Sequence, residues 1–265
     1  MENLSFLMVP FIGCVLLILL HTYFGVHVLE RGIIFVDLTL AQFISVGAAT
    51  AIFLGNEASQ SIYALVFAVI GALILAFSKR ISKFVYIEAF IGVLYIFSFA
   101  TSILILDRTP HGLEELKNIL NGNILWITGK DLITMFTLYT IIGVFQFVYR
   151  KKFMALSQGE HSSFIWEFLF FLSFAVMLVN SIKIAGILQV FSFLIIPALI
   201  GKITTKNPVQ ILLRGWLVGI IASIAGMIVS YKFDISTSSL IVAFLSIIFF
   251  IILGIRMKQK YVCNQ

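Results

Sequence analysis

The sequence has little charge. Asp, Glu, Lys and Arg make up 11% of its 265 residues, against about a quarter in soluble globular domains. So little polar surface cannot cover a fold in water, which excludes a soluble protein. Cysteine is nearly absent. Cys14 and Cys263 lie at opposite ends of the chain, which excludes a disulfide framework or a cysteine metal pair. No GxxxxGK[ST] phosphate loop is present. Gly201-Lys202-Ile203 has the look of its end but lacks the Ser/Thr and the earlier glycine, so the chain is not expected to hydrolyse ATP itself. HExxH, CxxC and a nucleophile elbow are missing too, which leaves an intramembrane hydrolase unsupported. The first apolar run has no basic leader and is long enough to remain as a span, so no cleavable signal peptide is expected. The net charge of +6 does not point to nucleic acid, because the basic residues sit in short clusters between apolar runs.

Apolar residues fill the space that charge leaves: 61% of the chain is hydrophobic and the mean hydropathy is +1.10. A bilayer core about 30 Å thick takes about 20 apolar residues per helix. Backbone groups in lipid must bond within their own segment, so the runs are expected to be helices. They fall at residues 6–27, 33–55, 60–78, 84–106, 131–149, 163–181, 184–201, 209–231 and 236–256. The expected fold is an all-α polytopic membrane helical bundle, one domain over 1–265. It has nine transmembrane helices, or eight if the short break near Lys183 is only a kink.

Basic residues set the orientation. With the C-terminus (Arg256, Lys258, Lys260) in the cytoplasm, alternation puts Arg31, Lys79, Arg80, Lys83, Arg150, Lys151, Lys152, Lys202, Lys206 and Arg214 on that side. Arg108, Lys117, Lys130, Lys183 and Lys232 remain outside, a bias of 13 to 5. Between the fourth and fifth spans, a turn at Thr109–Gly112 leads into an amphipathic helix. Leu113, Leu116, Ile119, Leu120 and Ile124 take one side; Glu114, Glu115, Lys117, Asn118 and Asn121 take the other. With Trp126 after it, this segment is expected to lie at the outer membrane face.

Polar residues at membrane depth are costly and usually face the bundle interior. The candidates are His21, Asp37, Gln42, Glu88, Gln146, Glu167, Asn180 and Gln189. Asp37 reads either as a cation contact in a translocation pathway or as a structural partner of His21, His27 or Arg31. Thr39, Gln42 and Ser45 share a helix face and could line such a pathway. Ala41, Ser45 and Ala49 form a small-residue row, for which helix packing is the commoner reason. Glu88 is expected to bridge to Lys79, Arg80 or Lys83, and Glu167 and Asn180 to make interhelical hydrogen bonds. His111, Glu114 and Glu115 could together meet a divalent cation, although a turn followed by a solvated helix face explains them as well. Glu160 and His161, in a loop, suggest nothing.

Four segments carry a resemblance. The stretch from Ile184 to Ala198, IAGILQVFSFLIIPA, followed by the basic loop Lys202–Lys206, resembles the GxLLVxALLIIPAATA segment of the ABC-3 type zinc/manganese/iron importer permeases. Ser230 to Val242, SYKFDISTSSLIV, resembles that family's SYYLDLPTGPAIV. Leu120 to Trp126, LNGNILW, resembles LFGNIL, and Glu88 to Tyr95, EAFIGVLY, resembles EDTAIGIxF. The four occur in the family's order and span most of the chain.

The resemblance implies a permease subunit in a prokaryotic inner (plasma) membrane. Two copies would form the pathway and two cytoplasmic ATPases would use the ATP. An extracytoplasmic binding protein would deliver the divalent metal. The permease itself would bind no cofactor. Coupling to the ATPases would run through short cytoplasmic loops, here Lys202, Thr204, Thr205 and Lys206 with Arg150–Lys152 nearby. One segment departs from the family. Its GDALSHAxLPG motif places an Asp and a His on one face of the second span, whereas Asp37 to Gly47 reads DLTLAQFISVG. Gln42 stands at the His position and Leu38 at the Asp position, with Asp37 one residue early. A glutamine amide is a poor zinc ligand beside imidazole, leaving His21, His27 and His111 as the histidines available to compensate. Competing readings are a permease for a metal chelate, haem or another small solute, a membrane scaffold, and an ion-driven secondary transporter. The last predicts internal repeats and helices broken at the midplane. No such repeat is seen, and Pro10 and Pro197 lie near span ends.

Overall fold

A computed structural model describes residues 2–159 and 163–263; Glu160, His161 and the side chains of Leu113 and Lys260 fall outside the described residues. Every apolar run lies on a helix. The long helices are α1 (Glu2–Arg31), α2 (Val36–Phe53), α3 (Gln60–Ala76), α5 (Ile87–Leu106), α7 (Gly129–Val148), α9 (Phe164–Thr204), α10 (Pro208–Phe233) and α11 (Thr237–Cys263). Three short helices connect them: α4 (Ser78–Ile81), α6 (Gly112–Asn121) and α8 (Arg150–Ser157). Eight helices among the described residues are long and apolar enough to cross a membrane.

One of the eight crosses twice. At 41 residues, α9 would be about 60 Å long if straight, twice the bilayer core. Two ion pairs show that it turns back. Glu167 near its start meets Arg31 at 2.9 Å, and Lys202 near its end meets Glu30 at 2.8 Å. Both ends of α9 therefore lie beside one end of α1. The reversal is at Gly186, whose φ of 76° and ψ of 163° are not helical. The expected break near Lys183 thus sits three residues later, because glycine alone adopts that backbone conformation without strain. Nine membrane-crossing legs result among the described residues. The bundle has a basic end, with Arg31, Lys202, Arg214 and Arg256, and an opposite end where α6 lies.

The interior is built around α1 and α9. Cys14, Leu17, Ile18, Phe24 and Val28 of α1 are all fully buried. At the basic end, Phe24, His27, Phe153, Phe170 and Phe174 form a cluster of aromatic contacts. The Arg31 guanidinium lies 4.1 Å from the Phe170 ring centroid, a cation–π contact strengthened by desolvation. On one flank α2 packs between α3 and α5; on the other, α10 and α11 pack on α9. Ala41, Ser45 and Ala49 are all buried, in keeping with the packing role of small residues.

At the opposite end α6 is amphipathic, as its pattern predicts. Leu116, Ile119 and Leu120 are half-buried while Glu114, Lys117 and Asn118 are exposed. The peptide at Asn121–Gly122 packs directly on the backbone at Ala185–Gly186, and Ser238 at the start of α11 donates to the Ala185 carbonyl at 3.4 Å.

Several polar side chains take partners other than the expected ones. Glu88 is not bridged to the basic cluster beside it: its Oε1 accepts from the Phe35 amide at 3.3 Å, at the start of α2. The first amides of a helix have no partner within it, so a carboxylate there is favourable. Lys79 lies 3.8 Å from Glu167 instead. Glu167 does make the expected interhelical hydrogen bond, accepting from Arg31 Nη1 of α1 at 2.9 Å, whereas Asn180 Oδ1 is buried without a hydrogen-bond partner among the described residues.

Candidate functional site

The helix that holds most of the pathway candidates, α2, is the most enclosed of the membrane-length helices, at 78% buried in its apolar window. Val36 begins it and Asp37 sits in its first turn, where the helix dipole favours a carboxylate. Asp37 is 1% exposed, Gln42 2% and Thr39 and Ser45 not at all. Their hydrogen bonding sorts them. Thr39 Oγ1 donates to the Phe35 carbonyl at 2.8 Å and lies 3.1 Å from the Ile91 carbonyl of α5. It is a tie between helices. Asp37 Oδ1, Gln42 Oε1 and Ser45 Oγ have no partner. A buried polar atom left unpaired costs about 1–3 kcal/mol; α1 carries four such atoms, on His21, Thr22 and Arg31, so the feature is shared between α1 and α2.

Asp37 does not find the partners expected for a structural role. Arg31 is engaged by Glu167. His21 Nδ1 bonds the Leu17 carbonyl at 2.8 Å, and its Nε2 is another unpartnered buried atom. His27 Nδ1 bonds Ser157 Oγ of α8 at 2.7 Å. Ser45 faces a cavity of about 190 Å³ at the α6 end, lined also by Ser61, Glu115, Asn118 and Lys183. Ser45 and Glu115, both sequence candidates, are thereby brought together. Asp37 is outside that lining.

The surface candidates separate. His111 Nδ1 lies 3.5 Å from Glu114 Oε2, and both side chains are more than three-quarters exposed. Glu115 turns toward the cavity. Among the described residues no three His, Cys, Asp or Glu side chains form a group able to hold a metal, and Asp37 lies on α2, apart from His111, Glu114 and Glu115 at the start of α6.

The basic end presents a second candidate surface. The chain leaves α9 at Thr204, and Asn207 starts α10 by accepting from the Val209 and Gln210 amides at 3.0 and 3.4 Å. Pro208 follows at the first helical position, where a missing N–H costs nothing. Thr205 Oγ1 donates to Gln210 Oε1 at 2.9 Å. The Thr204 carbonyl accepts from Arg214 Nη1 at 2.7 Å and from Arg256 Nη2 at 2.6 Å. That carbonyl is at the negative end of a helix, where cations are favoured. The loop is therefore a braced structure joining α9, α10 and α11. Lys202 is held by Glu30, whereas Lys206 is exposed. Beside it α8 presents Arg150, Lys151 and Lys152 outward and buries Phe153 and Leu156.

The family model described as the ABC 3 transport family matches residues 3–256. The chain belongs to the ABC-3 transport family. Curated relatives of this ABC-3 member include manganese transport system membrane proteins. One, from Listeria monocytogenes, is 24% identical over 96% of this chain and 92% of its own length. Another, from Halalkalibacterium halodurans, is 28% identical over 89% of this chain and 82% of its own. Among solved structures, a chain of PsaBC from Streptococcus pneumoniae superposes with a TM-score of 0.79 at 20% identity, over 98% of this chain and 95% of that one. The ABC-3 fold is thus shared along nearly the whole length.

Sequence reading missed three features of this ABC-3 chain. Gly186 was passed over in favour of Lys183, although an Ala-Gly pair at a span edge is itself a reversal signal. The Arg31–Glu167 pair joins residues 136 apart, a separation that no local pattern reports. Arg256 was counted only as an orientation charge, and its bond to Thr204 depends on how α11 packs.

Proposed function

We propose that this chain is the membrane-spanning permease subunit of an ATP-driven importer for a divalent metal ion, with manganese favoured by the names of its relatives. The family match over residues 3–256 carries this reading. The chain acts as one membrane domain, and two copies form the pathway. The basic end faces the cytoplasm by the positive-inside rule and docks separate ATPase subunits. Their contact is the braced loop around Lys206, with the outward face of α8 beside it. A binding protein delivers the ion at the α6 end, above the cavity that Ser45 and Glu115 line. ATP-driven closure at the braced loop would move α9, α10 and α11 together, because Thr204, Arg214 and Arg256 tie their ends. The ion is cargo: it meets the unpartnered Ser45, Gln42 and Asp37 oxygens in passing.

Uptake of manganese, zinc and iron radioisotopes by the reconstituted complex tests the assignment. Manganese should accumulate in an ATP-dependent way, and accumulation of none of the three would overturn it. The purified chain alone should show no ATPase activity; hydrolysis without a partner would end the subunit reading. Asp37→Asn tests the pathway. It keeps the shape of the side chain and removes the charge, and should lower uptake about tenfold or more, a change worth about 1.4 kcal/mol, while membrane insertion and ATPase docking persist. Normal uptake would return Asp37 to a structural role.

A further inference from the structure

A further cavity opens beside the basic-end surface and shares Arg150 and Pro208 with it. It is a groove of about 640 Å³ with α1 as its floor and α7 and α10 as its walls. Its lining is mostly apolar, with Leu16 and Tyr23 on the floor and Phe136, Leu212 and Trp216 on the walls. Trp216 is fixed there by donating Nε1–H to the Leu19 carbonyl at 3.1 Å. The Phe136-to-Phe147 wall is about 17 Å long, close to the hydrocarbon depth of one leaflet, about 15 Å.

Tyr139 and Thr140 are polar lining residues farther along the groove, which carries charge only toward its basic end. Arg150 lines it there, and Lys151 and Lys152 are exposed beside it. No acidic side chain is in the lining. One turn deeper, Gln146 is 1% exposed and gives its Nε2–H to Ser173 Oγ at 2.8 Å. Gly143 lines the middle of the groove, and a Cβ there would meet no atom within 4 Å.

We propose that this groove binds one anionic phospholipid, its acyl chain between α7 and α10 and its headgroup phosphate at Arg150. Length, apolarity and charge all fit that occupant. A negatively charged headgroup answers three adjacent cations. A second copy of the chain fits less well. A two-fold axis along the membrane normal would bring the two Arg150–Lys152 clusters to the same depth, with like charges opposed.

Native mass spectrometry of the full chain, extracted from membranes and exchanged into vesicles of phosphatidylglycerol or phosphatidylcholine, tests this. The wild type should retain one phosphatidylglycerol and exchange phosphatidylcholine freely. Gly143→Phe fills the groove without a backbone clash and should lower retention about tenfold, whereas Leu213→Phe, on an exposed α10 position outside the lining, should not. Arg150→Gln should remove the preference for the anionic lipid, with both lipids then held alike. Unchanged retention by a folded Gly143→Phe protein would overturn the proposal. So would equal retention of the two lipids by the wild type. Efficient cross-linking between two copies of Gly143→Cys would overturn it in favour of a subunit contact.

Discussion

Gly186→Ala is expected to unfold much of this protein. At φ 76° and ψ 163° the residue occupies a region open essentially to glycine alone, and an L side chain there costs about 1–3 kcal/mol in the backbone itself. A Cβ would also overlap the backbone of Asn121 and Gly122, which cannot swing aside as a side-chain tip can. Gly122 has a φ of 55° and faces the Ala185–Gly186 backbone in return, so neither partner can yield. The sum exceeds the roughly 1 kcal/mol of an ordinary substitution. Gly254→Ala is the control. It lies inside α11 with nothing within 4 Å of an added Cβ, and helix propensity favours it by about 1 kcal/mol. Thermal unfolding of the full chain in detergent should show a large fall for Gly186→Ala and none for Gly254→Ala. An unshifted transition in the first would mean that the fold-back does not depend on this residue.

Arg31→Met should be nearly as damaging, and Glu167→Leu should rescue it. The two side chains are 8% and 9% exposed and 2.9 Å apart. Removing one partner of such a pair leaves a buried charge unmatched, typically at a cost of about 3–5 kcal/mol. Lys79, at 3.8 Å from Glu167 and 43% exposed, can relieve only part of that. Replacing both with apolar residues removes both charges together, and the Phe170 and Phe171 rings that flank the guanidinium then pack against methionine. A double-mutant cycle read by unfolding should give strong non-additivity. Additive losses would show that Arg31 and Glu167 stabilise the bundle independently, and the pair would then not hold the start of α9 to α1.

The two predictions concern residues that were legible to different degrees. In the sequence Glu167 reads as a polar residue at membrane depth with an interhelical hydrogen bond, and Arg31 as a cytoplasmic charge that could partner Asp37, so neither points to the other. Asp37 was singled out because a carboxylate in a span is costly, and its burial agrees. The absence of a partner for its Oδ1 emerges only once α1, α2 and α5 are packed. Thr39 and Ser45 were placed on one stripe by periodicity. Packing parts them, giving Thr39 to the α5 backbone and Ser45 to the cavity under α6.

The sequence by itself determined the membrane bundle, the positions of its apolar helices, the amphipathic α6 and the side on which basic residues gather. Those properties follow from transfer of each segment between water and lipid, which depends on composition and period within that segment. The tertiary structure alone decided that α9 folds back at Gly186, that Glu167 belongs to Arg31, and which polar oxygens of α2 remain unpaired. Each of these depends on groups brought together from distant parts of the chain, and only packing fixes which of several chemically suitable partners comes within hydrogen-bonding distance.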